Sequence, residues 1–279
     1  MSQRWFITGS SRGIGRALAE AVLHAGHRVV ASAREPALLA DLEERYGNAV
    51  RTVALDVTDP VAAAEAIRVA SDNFGGIDVL VNNAGYGNIN SVEDTELDDF
   101  RRQIETNLFG TIVVTKAAIP LMRQQRGGHI IQFSSVGGRI GAPGRSPYSA
   151  AKWGVEGFSE VLAREMALIG VKVTIIEPGG FRTDFAGAST ELSEGRPEYD
   201  AVVGRAARMQ RQLNGRQPGD PARAAQVILE VAAMDKPPLR LPLGSDAVAA
   251  IEQADRAKLE EIERWRILSL STDYPQSGG

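Results

Sequence analysis

The stretch RWFITGSSRGIGRALAEAVLHAGHRVVASA, residues 4–33, is typical of one β–α–β unit. Two short runs, residues 5–7 and 29–31, are continuously apolar, as expected of strands that are covered on both faces. Between them, a glycine-rich turn precedes a segment, residues 18–25, with the apolar period of a helix. This order predicts two parallel strands joined by a helix, with the turn at the carboxyl end of the first strand.

The same alternation of strand and helix continues along the chain. Further apolar runs lie at residues 53–55, 79–81, 130–133, 171–176 and 239–243. Glycines that can end a helix with positive φ mark the helix-to-strand turns: Gly26, Gly47, Gly75, Gly76, Gly127, Gly128 and Gly170. The pattern predicts an α/β fold with a doubly wound, parallel, seven-stranded sheet and helices on both faces. One Rossmann-type domain is expected over residues 1–279, with an insertion at residues 184–215 and a helical extension at residues 244–279.

Composition and charge exclude several functional classes. The chain has 279 residues, 43% of them hydrophobic, and a formal net charge of −4, which is unlike a protein that binds nucleic acid or anionic lipid. It contains no cysteine, so disulfides and thiolate chemistry are excluded, and its three histidines show no metal-ligand spacing. No segment reaches the roughly 18 apolar residues of a membrane span, and no signal-peptide pattern precedes the first strand. We therefore expect no metal, nucleic acid or membrane partner, and a cytoplasmic location.

The first turn has the composition of a phosphate-binding loop. Residues 8–15 read TGSSRGIG, with Gly9, Gly13 and Gly15 in the spacing G-x-x-x-G-x-G rather than the common G-x-G-x-x-G. The physical role is the same, because the tight turn lets backbone N–H groups at the helix N-terminus face a pyrophosphate. A glycine cluster alone is weak evidence, but its place in the first β–α–β unit favours dinucleotide binding.

The end of the second predicted strand indicates which nucleotide binds. NAD sites usually place an acid there for the ribose 2′-OH, whereas this strand ends in Ala33 and Arg34. Glu35 follows, but between Arg34 and Pro36 it is better placed to begin the next helix. An arginine suits a 2′-phosphate because its planar guanidinium can bind two phosphate oxygens. With Arg12 as a second cation in the turn, the sequence predicts NADPH rather than NADH.

A candidate catalytic group lies between residues 130 and 152. An apolar strand leads to Ser135, and a glycine-rich loop then leads to Tyr148 and Lys152, which share one helix face at positions i and i+4. A free tyrosine has a pKa near 10, and the neighbouring cation is expected to lower the pKa of Tyr148 toward the range useful for general acid–base catalysis. A Tyr-x-x-x-Lys pair alone is common on helix surfaces, so it indicates a catalytic role only together with the neighbouring motifs.

Taken together, these motifs closely resemble the short-chain dehydrogenase/reductase family. They are, in the family's order, TGSSRGIG at residues 8–15, Asn82-Asn83-Ala84-Gly85, Asn107, Ser135, Tyr148, Lys152, Pro178-Gly179 and Thr183. The resemblance covers residues 4 to about 183, with Tyr148 thirteen residues after Ser135. It implies an oxidoreductase that uses NADPH/NADP+ to move a hydride between nicotinamide and a ketone, an aldehyde or a secondary alcohol.

The resemblance also implies roles for individual residues. Tyr148 would protonate the substrate oxygen during reduction and Ser135 would orient it; Ser134 is the alternative, but the interval to Tyr148 favours Ser135. Lys152 would hold the nicotinamide ribose and tune Tyr148. Asn107 would anchor a water that links Lys152 to solvent, unless it merely satisfies backbone groups in the core.

Other residues would line the cofactor. In the resemblance they are Gly9, Ser11, Arg12, Gly13, Ile14, Gly15, Arg34, Asp56, Val57, Asn82, Asn83, Ala84, Gly85, Pro178, Gly179, Phe181 and Thr183, together with Tyr148 and Lys152. Asn83 and Asp56 have structural alternatives, as a partner of backbone groups and as a loop cap. Phe181 departs from the family, in which this position is often Ile or Val, so packing against the nicotinamide carboxamide is expected to differ.

The substrate is expected to lie against the insertion at residues 184–215. Apolar side chains that could wall the pocket are Phe185, Leu192, Tyr199, Met209 and Leu213. The segment also contains four arginines: Arg196, Arg205, Arg208 and Arg211. They could bind an anion, although this spacing is more typical of the solvated face of a helix. We expect a small-molecule ketone or aldehyde of moderate size and low polarity.

Two other functional classes are compatible with parts of the sequence. A dinucleotide-binding sensor on the same fold would not need the complete set of Ser, Tyr, Lys and Asn. A methyltransferase with a glycine-rich first loop would leave Tyr148, Lys152 and Arg34 unexplained. The oxidoreductase hypothesis accounts for all of these residues.

The chain is expected to form a homodimer through the helices at residues 97–122 and 148–169. The tetramer that many family members form usually adds an interface near the last strand, but here 36 residues, 244–279, follow that strand. Within them an apolar stripe recurs at helical spacing: Val248, Ile251, Leu259, Ile262 and Trp265. This helix is expected to lie half-buried against its own subunit, covering the second interface or closing the pocket as a lid.

Overall fold

The computed structural model describes residues 2–186 and 190–274. Seven strands form one sheet: β1 (Arg4–Ile7), β2 (Arg28–Ala33), β3 (Val50–Ala54), β4 (Val79–Asn82), β5 (Gly128–Phe133), β6 (Val171–Pro178) and β7 (Arg240–Leu243). All neighbouring strands are parallel, in the order β3-β2-β1-β4-β5-β6-β7. The predicted doubly wound, seven-stranded parallel sheet is confirmed.

The described helices cover both faces of the sheet. They are α1 (Gly13–His24), α2 (Ala40–Tyr46), α3 (Pro60–Phe74), α4 (Leu97–Ile104), α5 (Gly110–Gln125), α6 (Ser146–Ala167), α7 (Arg205–Leu213), α8 (Pro221–Ala233) and α9 (Ser245–Leu270). Side chains of β1 alternate between two cores, since Trp5 and Ile7 pack with α1 and α8, and Phe6 packs with α3, α5 and α6. None of these helices combines the length and apolar character needed to cross a membrane.

The strand order places a crevice at the carboxyl ends of β1 and β4. The chain leaves β1 toward β2 and β3 on one side, and continues from β4 toward β7 on the other. Loops that follow neighbouring strands therefore diverge at this point, where open α/β sheets bind their ligands. The glycine turn after β1 and the segment after β4 border this crevice.

The segment predicted as one long helix over residues 97–122 is interrupted. A wider π-helical turn, Glu105–Phe109, separates α4 from α5. The side chain of Asn107 lies inside this turn, and its Nδ2 donates to the carbonyl oxygen of Gln103, 2.8 Å away. Such π turns change which side chains point inward, and here the turn buries Asn107 completely.

Glycine ends four of the helices as predicted, at Gly26, Gly47, Gly75 and Gly170, all with positive φ. The end of α5 differs, because Arg126, with φ 53°, takes the left-handed position that was expected of Gly127. The chain thus turns one residue earlier than predicted, and Gly128, with φ 141°, begins β5.

The C-terminal helix α9 packs on the rest of the chain only through its first half. Ala247 and Ile251 are buried, and the Lys258 ammonium donates to the carbonyl oxygen of Arg139. Beyond this contact Leu259 and Trp265 are 64% and 53% exposed. The prediction of one half-buried stripe is therefore wrong for Val248, which is also exposed, and for the distal residues, Leu259, Ile262 and Trp265. No other described part of the chain buries these side chains.

Candidate active site

A cleft of about 1360 Å³ occupies the crevice at the carboxyl ends of the strands. Its walls include residues from the glycine turn, the segment after β4, the start of α6 and the loop after β6. Every residue predicted to be catalytic or to contact the cofactor lines this cleft except Gly15 and Asn82. Residues that are far apart in the sequence are therefore brought together as predicted, with those two exceptions.

The glycine turn is held in shape by Thr8 and Asn83. The hydroxyl oxygen of Thr8 accepts hydrogen bonds from the backbone N–H groups of Asn83 and Ala84, at 2.9 and 3.0 Å. Gly9 and Gly13 have φ of 66° and 60°, a conformation that side chains disfavour. A Cβ atom on Gly15 would overlap the Asn83 amide, so Gly15 serves close packing behind the turn rather than the cleft wall.

The two asparagines after β4 have different roles from those expected. Asn82 is buried, and its Nδ2 donates to Thr115 Oγ1 and Gln132 Oε1, both at 2.9 Å. It packs beneath the sheet end and does not reach the cleft, so the prediction that it lines the cofactor site is wrong. The Asn83 amide donates to the carbonyl oxygens of Thr8 and Gly9, which supports its structural interpretation.

Charged side chains border the end of the cleft near β2. Arg12 and Arg34 are both exposed and both line it. Asp56 accepts hydrogen bonds from the backbone and hydroxyl of Thr58, at 3.0 and 2.8 Å, and these bonds hold its pKa below the ordinary value. Glu35 precedes the short helix Pro36–Leu39, as expected, but it also lies along the cleft wall.

At the other end, Ser135, Tyr148 and Lys152 meet at the boundary of β5 and α6. The Lys152 ammonium is 4% exposed and donates to the carbonyl oxygen of Phe133, 2.7 Å away. Its Nζ lies 5.7 Å from the centre of the Tyr148 ring. The hydroxyl oxygen of Ser135 accepts from the backbone N–H of Gly137 at 3.1 Å, so its own O–H can donate toward the cleft.

The pKa of Tyr148 shifts in the direction opposite to the one expected from the sequence. Burial raises the pKa of Tyr148, because the phenolate loses its hydration, while Ser135 and Arg145 act in the opposite direction. Burial also lowers the pKa of Lys152 to about 8, opposed by the charge of Glu156. The prediction of a lowered pKa for Tyr148 is therefore wrong, because desolvation outweighs the nearby cation.

Asn107 holds the segment after β4 in place beside Lys152 through hydrogen bonds to its backbone. Its Oδ1 accepts from the backbone N–H of Tyr86 at 3.1 Å, and its Nδ2 donates to the carbonyl oxygen of Tyr86 at 2.8 Å. A Cβ atom on Gly85 would overlap Asn107 Oδ1 and would lie 3.6 Å from Lys152 Nζ. The Asn107 side chain is thus engaged by backbone groups, as its structural alternative proposed, while it remains next to Lys152.

Two glycines that the sequence analysis did not single out enclose the Tyr148 ring. Cβ atoms added to Gly87 and Gly137 would lie 2.7 and 3.1 Å from ring carbons of Tyr148. Phe185 packs at a tilt against the same ring, with the ring centres 5.6 Å apart. The glycines are visible in the sequence, but only their approach to Tyr148 in the folded chain reveals their role.

The insertion contributes less to the cleft than expected. Of its five apolar candidates only Phe185 and Leu213 line the cleft. Leu192 and Tyr199 join a separate small core with Ile89, and Met209 is exposed. The prediction that these three residues wall the pocket is therefore wrong.

The four arginines of the insertion lie on the surface. Arg196 pairs with Asp94 at 2.6 Å, and Arg208 pairs with Glu194 and Asp200. The Arg211 side chain also pairs with Glu194, and Arg205 is exposed. None of the four lines the cleft, which supports the interpretation of a solvated face.

A different arginine, Arg145, faces the cleft beside the tyrosine. It immediately precedes α6, and its Cζ lies 5.9 Å from the centre of the Tyr148 ring. Its guanidinium donates to Gln210 Oε1 at 2.9 Å. The sequence analysis did not identify Arg145, because nothing in the local pattern shows that it turns inward. Among the described residues no cluster of His, Cys, Asp or Glu could hold a metal ion.

The geometry agrees with comparisons to known proteins. A family model described as short chain dehydrogenase matches residues 3–193. Oxidoreductase BOA17 of Botryotinia fuckeliana is 48% identical over 273 residues, which cover 98% of this chain and 100% of that protein.

Solved structures give the same result. The crystal structure of a short-chain dehydrogenase from Streptomyces avermitilis has 39% sequence identity and a TM-score of 0.91, covering 98% of this chain and 100% of that one. The structure of ElxO with NADP bound has 26% identity and a TM-score of 0.73, covering 89% of this chain and 100% of that one. The chain therefore belongs to the short-chain dehydrogenase family and is an oxidoreductase.

Proposed function

We propose that the protein is an NADPH-dependent carbonyl reductase that can also oxidise the corresponding secondary alcohols. The observation that carries this proposal is the convergence of Ser135, Tyr148 and Lys152 on one cleft whose opposite end presents two arginines. The test is turnover of a panel of ketones and aldehydes, followed by the loss of NADPH absorbance. Absence of turnover across the panel, with NADPH bound, would instead favour the sensor alternative.

The cleft has the features that a dinucleotide requires. Backbone N–H groups of the glycine turn precede α1, where the helix dipole favours a pyrophosphate. The turn leaves no room for a Cβ atom at Gly9, which would lie 3.0 Å from the Cα of Ala84. Arg12 and Arg34 would hold the 2′-phosphate, and Pro178, Gly179, Phe181 and Thr183 would bracket the nicotinamide. ElxO, which is 26% identical, was solved with NADP bound, but the choice of NADPH over NADH rests on Arg12 and Arg34.

The residues of the chain would act on the substrate oxygen. When bound, the nicotinamide supplies or accepts the hydride. During reduction Tyr148 would give its proton to the substrate oxygen, while the free O–H of Ser135 would donate a hydrogen bond to that oxygen. Lys152, held by Phe133, would keep a positive charge beside the phenolate that remains. Asn107 would hold the segment around Gly85, which lies beside Lys152. The water relay through Asn107 stays a prediction.

Replacing Tyr148 with phenylalanine should remove the proton donor and leave the ring in place. We expect kcat to fall by on the order of 10² or more, within the range for loss of a positioned acid. NADPH binding, measured by fluorescence titration, should stay close to that of the parent protein, because the phenol oxygen is the only group removed. Turnover unchanged in Tyr148→Phe would exclude Tyr148 from the mechanism.

The rates of reduction and of oxidation should respond differently to pH. Reduction needs protonated Tyr148, and because burial raises the pKa of Tyr148 above its ordinary value, kcat/KM for reduction should be flat below about pH 8. Above that value reduction should decline as Lys152, with a pKa of about 8, loses its charge. Oxidation needs the phenolate together with the Lys152 ammonium, so its kcat/KM should rise with pH, by about tenfold per unit up to about pH 8, and level off above it as Lys152 loses its charge. A flat oxidation profile would contradict the assignment of Tyr148 as the base.

Arg34→Ala should weaken NADPH binding while NADH binding changes little. The parent protein should prefer NADPH by roughly 10- to 100-fold, since a hydrogen bond to a charged group is worth about 1.5–3 kcal/mol and less where water reaches it. Most of this preference should be lost in Arg34→Ala. The matched control is Arg68→Ala on α3, an exposed arginine outside the cleft, which should bind both cofactors as the parent does. Equal kcat/KM for the two cofactors in the parent would refute NADPH selection.

We also propose a homodimer formed through α5 and α6. Support comes from exposed apolar side chains: Trp153 and Val161 on α6, Leu168 directly after it, and Phe109 just before α5. Light scattering coupled to gel filtration should give about twice the chain mass of 29.9 kDa. Truncation after Lys258 removes the exposed part of α9 with the residues that follow it, and should leave a dimer that is lighter only by the two missing segments. A tetramer from both proteins would contradict this assembly. The cytoplasmic location stays a prediction.

A further inference from the structure

Arg145 differs from the arginines of the insertion because it lines the cleft and because no acid among the described residues pairs with it. It is partly buried, and its guanidinium has one hydrogen-bond partner, the neutral amide of Gln210 on α7. An arginine has five N–H donors, so several donors are left to face the cleft. Arg145 immediately precedes α6, three positions before Tyr148, and its Cζ lies 5.9 Å from the centre of the Tyr148 ring.

Among the described residues, no carboxylate pairs with this partly buried cation. Burial lowers the pKa of Arg145 from its ordinary value, and the nearest group that opposes this effect is the Tyr148 phenol rather than a carboxylate. The acids on this part of the cleft are Asp184 and Asp246, both exposed. Asp246 accepts a hydrogen bond from the backbone N–H of Gly180 at 2.7 Å instead of contacting Arg145. Since an arginine stays protonated in proteins, the cleft holds a desolvated positive charge.

We propose that Arg145 binds the carboxylate of the substrate, and that the substrate class is short oxo acids. A carboxylate can accept two parallel hydrogen bonds from a guanidinium, and its negative charge offsets the free-energy cost of burying the cation. This inference rests on the proposed reductase function. In the reaction the carbonyl carbon gains a hydride, its oxygen gains the Tyr148 proton, and the carboxylate is unchanged.

The geometry limits the length of such a substrate. The Arg145 Cζ lies 5.9 Å from the centre of the Tyr148 ring, so the proposal takes a short substrate, in which a few carbon atoms separate the carboxylate from the reacting carbonyl. Phe185, which also packs against the Tyr148 ring and lines the cleft, would supply an apolar surface for those carbons. This substrate is more polar at one end than the ketone expected from the sequence.

The test compares an acid with its neutral ester. Levulinate and methyl levulinate share the ketone and the carbon chain, and only the first carries a carboxylate. The parent protein should have the higher kcat/KM for levulinate. Arg145→Gln should lower the acid-to-ester ratio of kcat/KM by roughly 10- to 100-fold, the range expected for a lost hydrogen bond to a charged group. Arg145→Lys, which keeps the charge, should keep part of the preference.

A matched control separates this role from general effects. Arg205→Gln changes an exposed arginine of α7 that does not line the cleft, and the ratio should stay at the parent value. Thermal unfolding supplies a readout without turnover: butanoate should raise the midpoint of the parent more than butanamide does, and this difference should vanish in Arg145→Gln. An equal loss on acid and ester would mean that Arg145 only tunes Tyr148, and would overturn the proposal. Turnover of neutral ketones without any acid preference would also overturn it while leaving the reductase function intact.

Discussion

The ammonium group of Lys152 donates a 2.7 Å hydrogen bond to the carbonyl oxygen of Phe133, the last residue of β5. A buried cation must be hydrogen-bonded or paired to be tolerated, so this bond fixes α6 against the end of the sheet. Tyr148 lies one turn earlier on that helix, and Ser135 follows Phe133 by two residues. One contact between a helix and a strand thus sets the relative positions of all three candidate catalytic groups.

The close packing of side chains around this contact depends on glycines. Gly85 lies beside both Asn107 and Lys152, and the Tyr148 ring lies between Gly87 and Gly137. Each of these glycines occupies a position where a Cβ atom would meet a catalytic side chain or its neighbour. The interior is packed as densely as an organic crystal, so a side chain at Gly87 would displace the Tyr148 ring, and one at Gly85 would displace the Asn107 amide.

The arginines of the insertion differ from three arginines of the cleft in their partners. Those of the insertion, such as Arg208 and Arg211, pair with nearby acids on the surface, where each pair adds little to stability. Arg12, Arg34 and Arg145 line the cleft instead, two at the end near β2 and one beside Tyr148. The proposals of NADPH as cofactor and of an oxo acid as substrate rest on these three cations.

The sequence by itself determined the alternation of strands and helices, because apolar period depends on local geometry, and with it the parallel sheet. It also determined the glycine turn and the pairing of Tyr148 with Lys152, which are set by a few consecutive residues. Only the tertiary structure decided the rest: that Asn82 lies beneath the site, that α9 is exposed beyond Lys258, that burial raises the pKa of Tyr148, and that Arg145 rather than an arginine of the insertion faces the cleft. Each of these depends on which distant element lies opposite a side chain, and local spacing carries no information about that neighbour.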